Sequence, residues 1–262
     1  MEKYCTVDGK RIKYLDEGWG NCVILIHGLG GHSGRWEKVI PELSKSHRVI
    51  APDLPGFGDS DKPTHGFDYS IPAFSEFIND FMKNLDISKA DIIGSSMGGY
   101  IAAYFASEHP ERAKNLVLVS PAGLARRATP EAMSYMNAVY FPTQETAKSA
   151  LEELFYDKST VDNEMVIDFV DKMENDDSKN AYFSSFFNLS RNHEFEEKLG
   201  KIKSPSLIVW GEEDEIIPCE YAEEYVSMIH NSKKEMMQKC GHMPFIEKPK
   251  EFLKLIKRHL DQ

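Results

Sequence analysis

Gly94-Ser95-Ser96-Met97-Gly98 sets a hydroxyl between two glycines, behind an apolar run at Ile92-Ile93 and ahead of an alanine-rich helical pattern. A serine in the pattern G-x-S-x-G, held on a sharp turn from strand to helix, has its hydroxyl lifted clear of the sheet edge. Such a turn strains the serine backbone and crowds its neighbours, which accounts for Gly94 and Gly98. It also leaves the N–H of Met97 unpaired at a helix N-terminus, where it can stabilise an oxyanion. Ser95 is off the glycine-flanked position and reads as structural. A serine at neutral pH is a poor nucleophile without a base in hydrogen-bond reach. Of nine histidines, His242 is the best candidate, since Gly241-His242 follows a strand pattern and sits on a loop. The base in turn needs a carboxylate to fix its tautomer. Asp214, just beyond the apolar run that ends at Trp210, is placed for that task. Glu212, Glu213 and Glu215 are near rivals that read as a solvated acidic loop.

Elements far apart in the chain must bring these three side chains together. Residues 4–15 read as a hairpin through Val7-Asp8-Gly9-Lys10. Residues 22–26 form a continuous β-rich run, as in a strand buried on both faces, and end in His27-Gly28-Leu29-Gly30-Gly31. A helix is expected over about 33–44, a strand over 47–51, and a long turn from Pro52 to Ser60. Apolar residues at Ile71, Phe74, Phe77, Ile78, Phe81 and Leu85 predict a helix over 70–85. After the elbow come a helix over 97–107 and a strand over 116–119. The β-α alternation then stops. Residues 122–200 are helical in pattern, with starts at Thr129-Pro130 and Thr143-Gln144 and further helices over 162–173 and 178–189. Alternation resumes with a strand over 206–210, a helix near 221–229, a strand near 235–238 and a final helix over 249–260. The economical description is an α/β core in two parts, 1–121 and 201–262, carrying an inserted helical cap over 122–200.

With 262 residues, the chain can bury a substantial core as one large domain with an insertion. Its formal net charge of −11 argues against nucleic acid or an anionic membrane as partner, since both call for a basic face. No apolar leader pattern is visible at the N-terminus, so a cytoplasmic location is expected. Cys5, Cys22, Cys219 and Cys240 have neither C-x-x-C nor metal-ligand spacing and read as reduced thiols. No metal or organic cofactor is expected. A monomer and a homodimer are both compatible with the sequence.

Five stretches stand in the order found in the α/β-hydrolase superfamily, which the chain resembles along nearly its whole length. They are Ile26-His27-Gly28-Leu29-Gly30-Gly31, Asp53-Leu54-Pro55-Gly56-Phe57-Gly58-Asp59-Ser60, Gly94-Ser95-Ser96-Met97-Gly98-Gly99, Trp210-Gly211-Glu212-Glu213-Asp214 and Cys240-Gly241-His242-Met243-Pro244. The order Ser, Asp, His is itself the one that fold uses. The resemblance implies a mostly parallel eight-stranded sheet with helices on both faces. It places the second oxyanion donor at Leu29, makes His27 structural, and has the loop from Asp53 to Ser60 brace the elbow. His32 is expected to be a turn histidine. Members that draw the acid from the loop after the preceding strand have no counterpart here, because Ser120-Pro121-Ala122-Gly123-Leu124 offers no carboxylate. Dehalogenase and epoxide-hydrolase cousins use aspartate where this chain has Ser96.

The first functional expectation is a carboxylesterase acting on small or medium esters through an acyl-enzyme. The alternative is a carbon–carbon bond hydrolase of vinylogous diketones from aromatic-ring cleavage, a subgroup the chain also resembles. Against that alternative, Met243 stands where its members commonly have tryptophan. The cap arginine that holds the substrate carboxylate has only Arg191, Arg126 and Arg127 as candidates. A third reading is a small-molecule receptor that keeps the three residues to bind a signal. Bulky apolar residues of the cap, among them Tyr135, Phe155, Phe169, Phe186 and Phe187, mostly pack, with a minority facing an apolar-to-mixed pocket.

Overall fold

Eight strands form a single sheet in the order β1-β2-β4-β3-β5-β6-β7-β8. The computed structural model describes residues 1–189 and 194–261. The strands are β1 Glu2–Val7, β2 Lys10–Glu17, β3 Cys22–Ile26, β4 Arg48–Pro52, β5 Ala90–Ser95, β6 Ala113–Val119, β7 Ser206–Gly211 and β8 Ser232–Met237. β1 pairs antiparallel with β2 and β2 antiparallel with β4, and the rest of the ladder is parallel. The hairpin between β1 and β2 turns on Asp8 and Gly9, both with positive φ (47° and 72°), as a type I′ turn requires.

The helices are α1 Ile40–Leu43, α2 Ile71–Asn84, α3 Met97–Glu108, α4 Pro130–Tyr140, α5 Gln144–Glu152 and α6 Asn163–Met173. They continue with α7 Asp176–Leu189, α8 Phe195–Leu199, α9 Tyr221–Met228, α10 Pro244–Glu247 and α11 Pro249–Leu260. Successive residues of a strand face opposite sides, and the apolar runs therefore feed two cores. Ile24, Ile26 and Ile92 pack with α2, α3 and α9 on one face. Val23, Leu25 and Ile93 pack with α1 and α11 on the other. The helix expected over 33–44 is split into a 3-10 turn, Ser33–Trp36, and α1. Pro41, at the start of α1, has no N–H to give and would crowd the carbonyl of Glu37, so one continuous helix cannot form.

Between β6 and β7 every described regular element is helical. Thr129, Thr143 and Asp162 cap α4, α5 and α6 through their side-chain oxygens, as the sequence pattern suggests. α4 to α7 contact one another in series, whereas α8 packs on α3 and α9. Phe195 of α8 lies against Tyr100, with ring centroids 4.2 Å apart. Among the described residues, no helix is long and apolar enough to cross a membrane.

Candidate active site

Strand β5 delivers Ser96 with φ 55° and ψ −119°, and α3 begins at the next residue. The glycines on either side are dictated by contact. A Cβ on Gly94 would stand 2.1 Å from the Gly98 carbonyl oxygen, and one on Gly98 would stand 2.3 Å from that of Ile26. The Ser96 N–H donates to Val119 at 2.9 Å, and its carbonyl accepts from Tyr100 and Ala122. The turn is thereby tied to β6 as well as to α3. Ser95 is buried on the strand. The Met97 side chain is fully buried too, which leaves its backbone N–H as the group that can serve a ligand.

On the glycine loop, Gly28 lies against the serine, since a Cβ there would be 3.7 Å from Ser96 Oγ. The N–H groups of Leu29 and Met97 have no acceptor among the described residues. His27 accepts from the Leu54 N–H through Nε2 at 3.0 Å. Its Nδ1 therefore carries the proton and donates to the Gly28 carbonyl at 2.8 Å. Burial lowers its pKa to about 4, so the ring is neutral and structural. Asp53 accepts from the Ser33 N–H at 2.6 Å and the Asp59 N–H at 2.8 Å. Burial would raise its pKa, but these donors hold the carboxyl below its ordinary value. The hydrogen bonds of the loop from Asp53 to Ser60 thus run to the glycine loop and to β2 rather than to the elbow itself.

His242 and Asp214 meet, with Nδ1 and Oδ2 2.8 Å apart, and both are buried. The carboxylate is held by three further donors. Trp210 Nε1 reaches Oδ2 at 3.0 Å, and the Ile216 and Ile217 N–H groups reach Oδ1 at 3.0 Å each. With Nδ1–H given to Asp214, His242 has Nε2 free to accept. The backbone of this loop is fixed from three sides. His242 N–H donates to Leu154 at 2.8 Å, Gly241 N–H to Glu247 at 2.8 Å, and Cys240 N–H to Glu213 at 2.9 Å.

Ser96 and His242 line one cavity of about 290 Å³. Ser96 Oγ has no hydrogen-bond partner among the described residues, and contacts of this kind tighten when substrate binds. The lining is mostly apolar, including Leu29, Leu154, Phe186, Ile217 and Met243, and it draws on both the core and the helices between β6 and β7. Of the bulky residues considered from sequence, Tyr135, Phe186 and Phe187 face it, while Phe155 and Phe169 are buried in packing. Arg126 and Arg127 line it as well, but Arg126 is engaged bidentately by Glu224 at 3.0 and 2.6 Å. Arg191 lies outside the described residues. His32 caps the 3-10 turn and reaches Asp168 of α6 at 3.1 Å. Sequence reasoning missed Arg35, which also lines the cavity. A charged residue next to the buried Trp36, a few positions beyond the glycine loop, was the available signal. No group of three or more His, Cys, Asp or Glu among the described residues is arranged to hold a metal ion.

The family model for the alpha/beta hydrolase fold matches residues 21–249. The chain is 29% identical over 252 residues to the 2-hydroxy-6-oxo-2,4-heptadienoate hydrolase of Pseudomonas putida, covering 92% of this chain and 89% of that protein. It is 30% identical over 262 residues to the 2-hydroxy-6-oxo-6-(2'-aminophenyl)hexa-2,4-dienoic acid hydrolase of Metapseudomonas resinovorans, covering 96% and 88%. Among solved structures, the meta-cleavage product hydrolase CumD of Pseudomonas fluorescens IP01, as a mutant complexed with acetates, superposes with a TM-score of 0.91. It is 29% identical, with 99% of this chain and 97% of that one covered.

Proposed function

The chain belongs to the alpha/beta-hydrolase family, and from that premise we propose that it hydrolyses a carbon–carbon bond in a 2-hydroxy-6-oxo-dienoate type of substrate. This reverses the ranking reached from sequence, which preferred an ester because a substrate carboxylate lacked a cation to meet it. The observation that carries the reversal is a cation in the wall of the Ser96 cavity, Arg35, whose guanidinium no hydrogen bond among the described residues takes up. The hydrolase names of the aligned relatives point the same way.

In this reading Ser96 Oγ attacks the ketone carbon while His242 Nε2 takes its proton. Asp214 holds the imidazole in the tautomer that can accept, and stabilises the imidazolium that results. The N–H groups of Leu29 and Met97 receive the oxyanion. Cleavage requires the keto tautomer of the substrate, in which the proton of the 2-hydroxyl has moved to C5 and a C3–C4 double bond is conjugated with a carbonyl at C2. The C5–C6 bond then breaks, and its electron pair passes through that double bond to the C2 carbonyl oxygen. His242 returns the proton to that fragment, and water hydrolyses the acyl group from Ser96. Helices α4 to α7 act as a cap that closes the cavity and selects the substrate.

Hydrolysis of a neutral ester is the second reading, favoured by the apolar lining around Leu154, Phe186 and Ile217. Steady-state kcat/KM for a 6-oxo-dienoate and for aryl esters of graded chain length separates the two. The dienoate should be preferred by at least about tenfold, with both activities lost in Ser96→Ala. A preference for esters of that size would restore the esterase, and turnover surviving Ser96→Ala would remove Ser96 as nucleophile.

A further inference from the structure

Arg35 stands on the 3-10 turn just after the glycine loop, with its side chain only 11% exposed. A guanidinium carries five N–H donors and stays charged, so it is costly to leave without acceptors. Yet among the described residues Arg35 makes no side-chain hydrogen bond. Its one polar approach is to Asp168, with Nη2 and Oδ2 3.7 Å apart, beyond hydrogen-bond length. Asp168 is already committed elsewhere. Its Oδ2 is met by His32 Nε2 at 3.1 Å, and its Oδ1 pairs with Lys172. Burial would raise the Asp168 carboxyl, but the contacts of His32 and Lys172 hold it well below the ordinary range, so it stays anionic. Two permanent cations, Arg35 and Lys172, then face one carboxylate, and a positive charge is left over beside the cavity.

A second donor sits close by. Tyr135 of α4 lines the same cavity, its ring edge-on to Phe169 with centroids 5.3 Å apart. Its hydroxyl lies over the glycine loop, 3.5 Å from where a Cβ on Gly30 would stand, and has no partner among the described residues. The other cations of the wall are poorer candidates. Arg126 is exposed and already paired with Glu224, and Arg127 is exposed, where water and salt screen its charge.

We propose that Arg35 and the Tyr135 hydroxyl form an anion subsite of the Ser96 cavity that takes the carboxylate of an acid-bearing substrate. The planar fork of the guanidinium matches a carboxylate with two parallel N–H bonds, and the phenol supplies a third. The cation of this subsite, Arg35, stands on the core side after the glycine loop, and the Tyr135 hydroxyl meets it from α4, whereas the family resemblance implied an arginine on the cap. The inference rests on the Ser96 cavity being the reaction site, and it deepens that reading by making the substrate an organic acid.

The test compares wild type with Arg35→Met, Tyr135→Phe and Arg126→Met in two measurements. The first is the ratio of kcat/KM for a 6-oxo-dienoate to that for its uncharged primary amide. The second is the binding of benzoate, a carboxylate probe, by titration calorimetry, which needs no turnover. Arg35→Met should lower the ratio about 100-fold and weaken benzoate comparably, the size expected for truncating one partner of a buried charge pair. Tyr135→Phe should lower both about tenfold, and Arg126→Met should leave the ratio unchanged. A ratio and an affinity that survive both Arg35→Met and Tyr135→Phe overturn the subsite, even if the dienoate is cleaved. Benzoate binding that depends on Arg35 in an enzyme that ignores the dienoate upholds the subsite and removes the carbon–carbon reading. If Arg35→Met does not fold, Tyr135→Phe decides alone, because a phenol without a partner can be removed with little structural loss.

Discussion

Asp214 accepts from four donors, two at each carboxylate oxygen: Trp210 and His242 at Oδ2, Ile216 and Ile217 at Oδ1. Only a carboxylate can do this, because an asparagine in either flip presents an NH₂ to two N–H groups. Asp214→Asn should therefore cost stability as well as rate. With Oδ2 replaced by nitrogen, His242 must give up its Nδ1–H contact or change tautomer, and its Nε2 is then no longer free to accept. A loss in kcat of roughly 10³- to 10⁴-fold is expected, with about 1–3 kcal/mol of stability lost for the orphaned donors. Steady-state assays and urea unfolding of one preparation check both. A variant that kept its rate would show that His242 does not need this partner. That Ser96 and His242 share a cavity and that His242 meets Asp214 could be expected from the sequence, because each residue lies in a short local motif. Arg35 was missed, and Tyr135 could not be told apart from the packing residues of the cap, because their place in the cavity wall follows from how α4 and α6 settle over the glycine loop.

The loop that carries His242 is held less by its own sequence than by two other elements. One is the stretch just after α5, where the Leu154 carbonyl accepts the His242 N–H and lies 2.7 Å from where a Cβ on Gly241 would stand. The other is α10, whose Glu247 gathers the N–H groups of Tyr156, Asp157 and Gly241 at 3.4, 2.7 and 2.8 Å. A single carboxylate thus joins the helical insertion to the histidine loop. Glu247→Gln would turn an NH₂ toward one set of these donors. The expected result is a roughly tenfold fall in kcat with KM little changed, and about 1 kcal/mol of lost stability, since Glu247 is only partly buried. A lower unfolding midpoint with kcat intact would reduce Glu247 to a structural brace. α10 and α8 escaped the sequence reading because four- and five-residue helices hold too few turns to show a period. Long amphipathic helices such as α2 and α11 showed theirs plainly.

Across the whole molecule, the parallel centre of the sheet could be read because β3, β5 and β7 are apolar on both faces, with core on each side. The edge strand β8, Ser-Lys-Lys-Glu-Met-Met, was seen only in part, since an edge carries polar residues that blur a strand signal. Nor could the sequence tell which histidines would be buried, and that decides how the protein meets acid. His27, under the glycine loop, and His259, on α11, are both almost fully buried, and burial lowers both pKa values, that of His27 to about 4 from 6.5. The folded state therefore refuses a proton that the unfolded chain accepts between these values, and stability falls as pH drops through that window. His27 alone contributes a loss on the order of 3 kcal/mol, and His259 adds in the same direction. Asp53, with its carboxyl held below 3.8, adds its loss only at lower pH still. Urea midpoints at a series of pH values should accordingly decline from about pH 6.5 toward 4, with the part of the fall above about pH 5 preceding carboxylate titration. In His27→Gln the baseline should be lower but the decline over that interval shallower. A wild-type midpoint that stays level across the interval would mean that these histidines reach solvent in the folded protein.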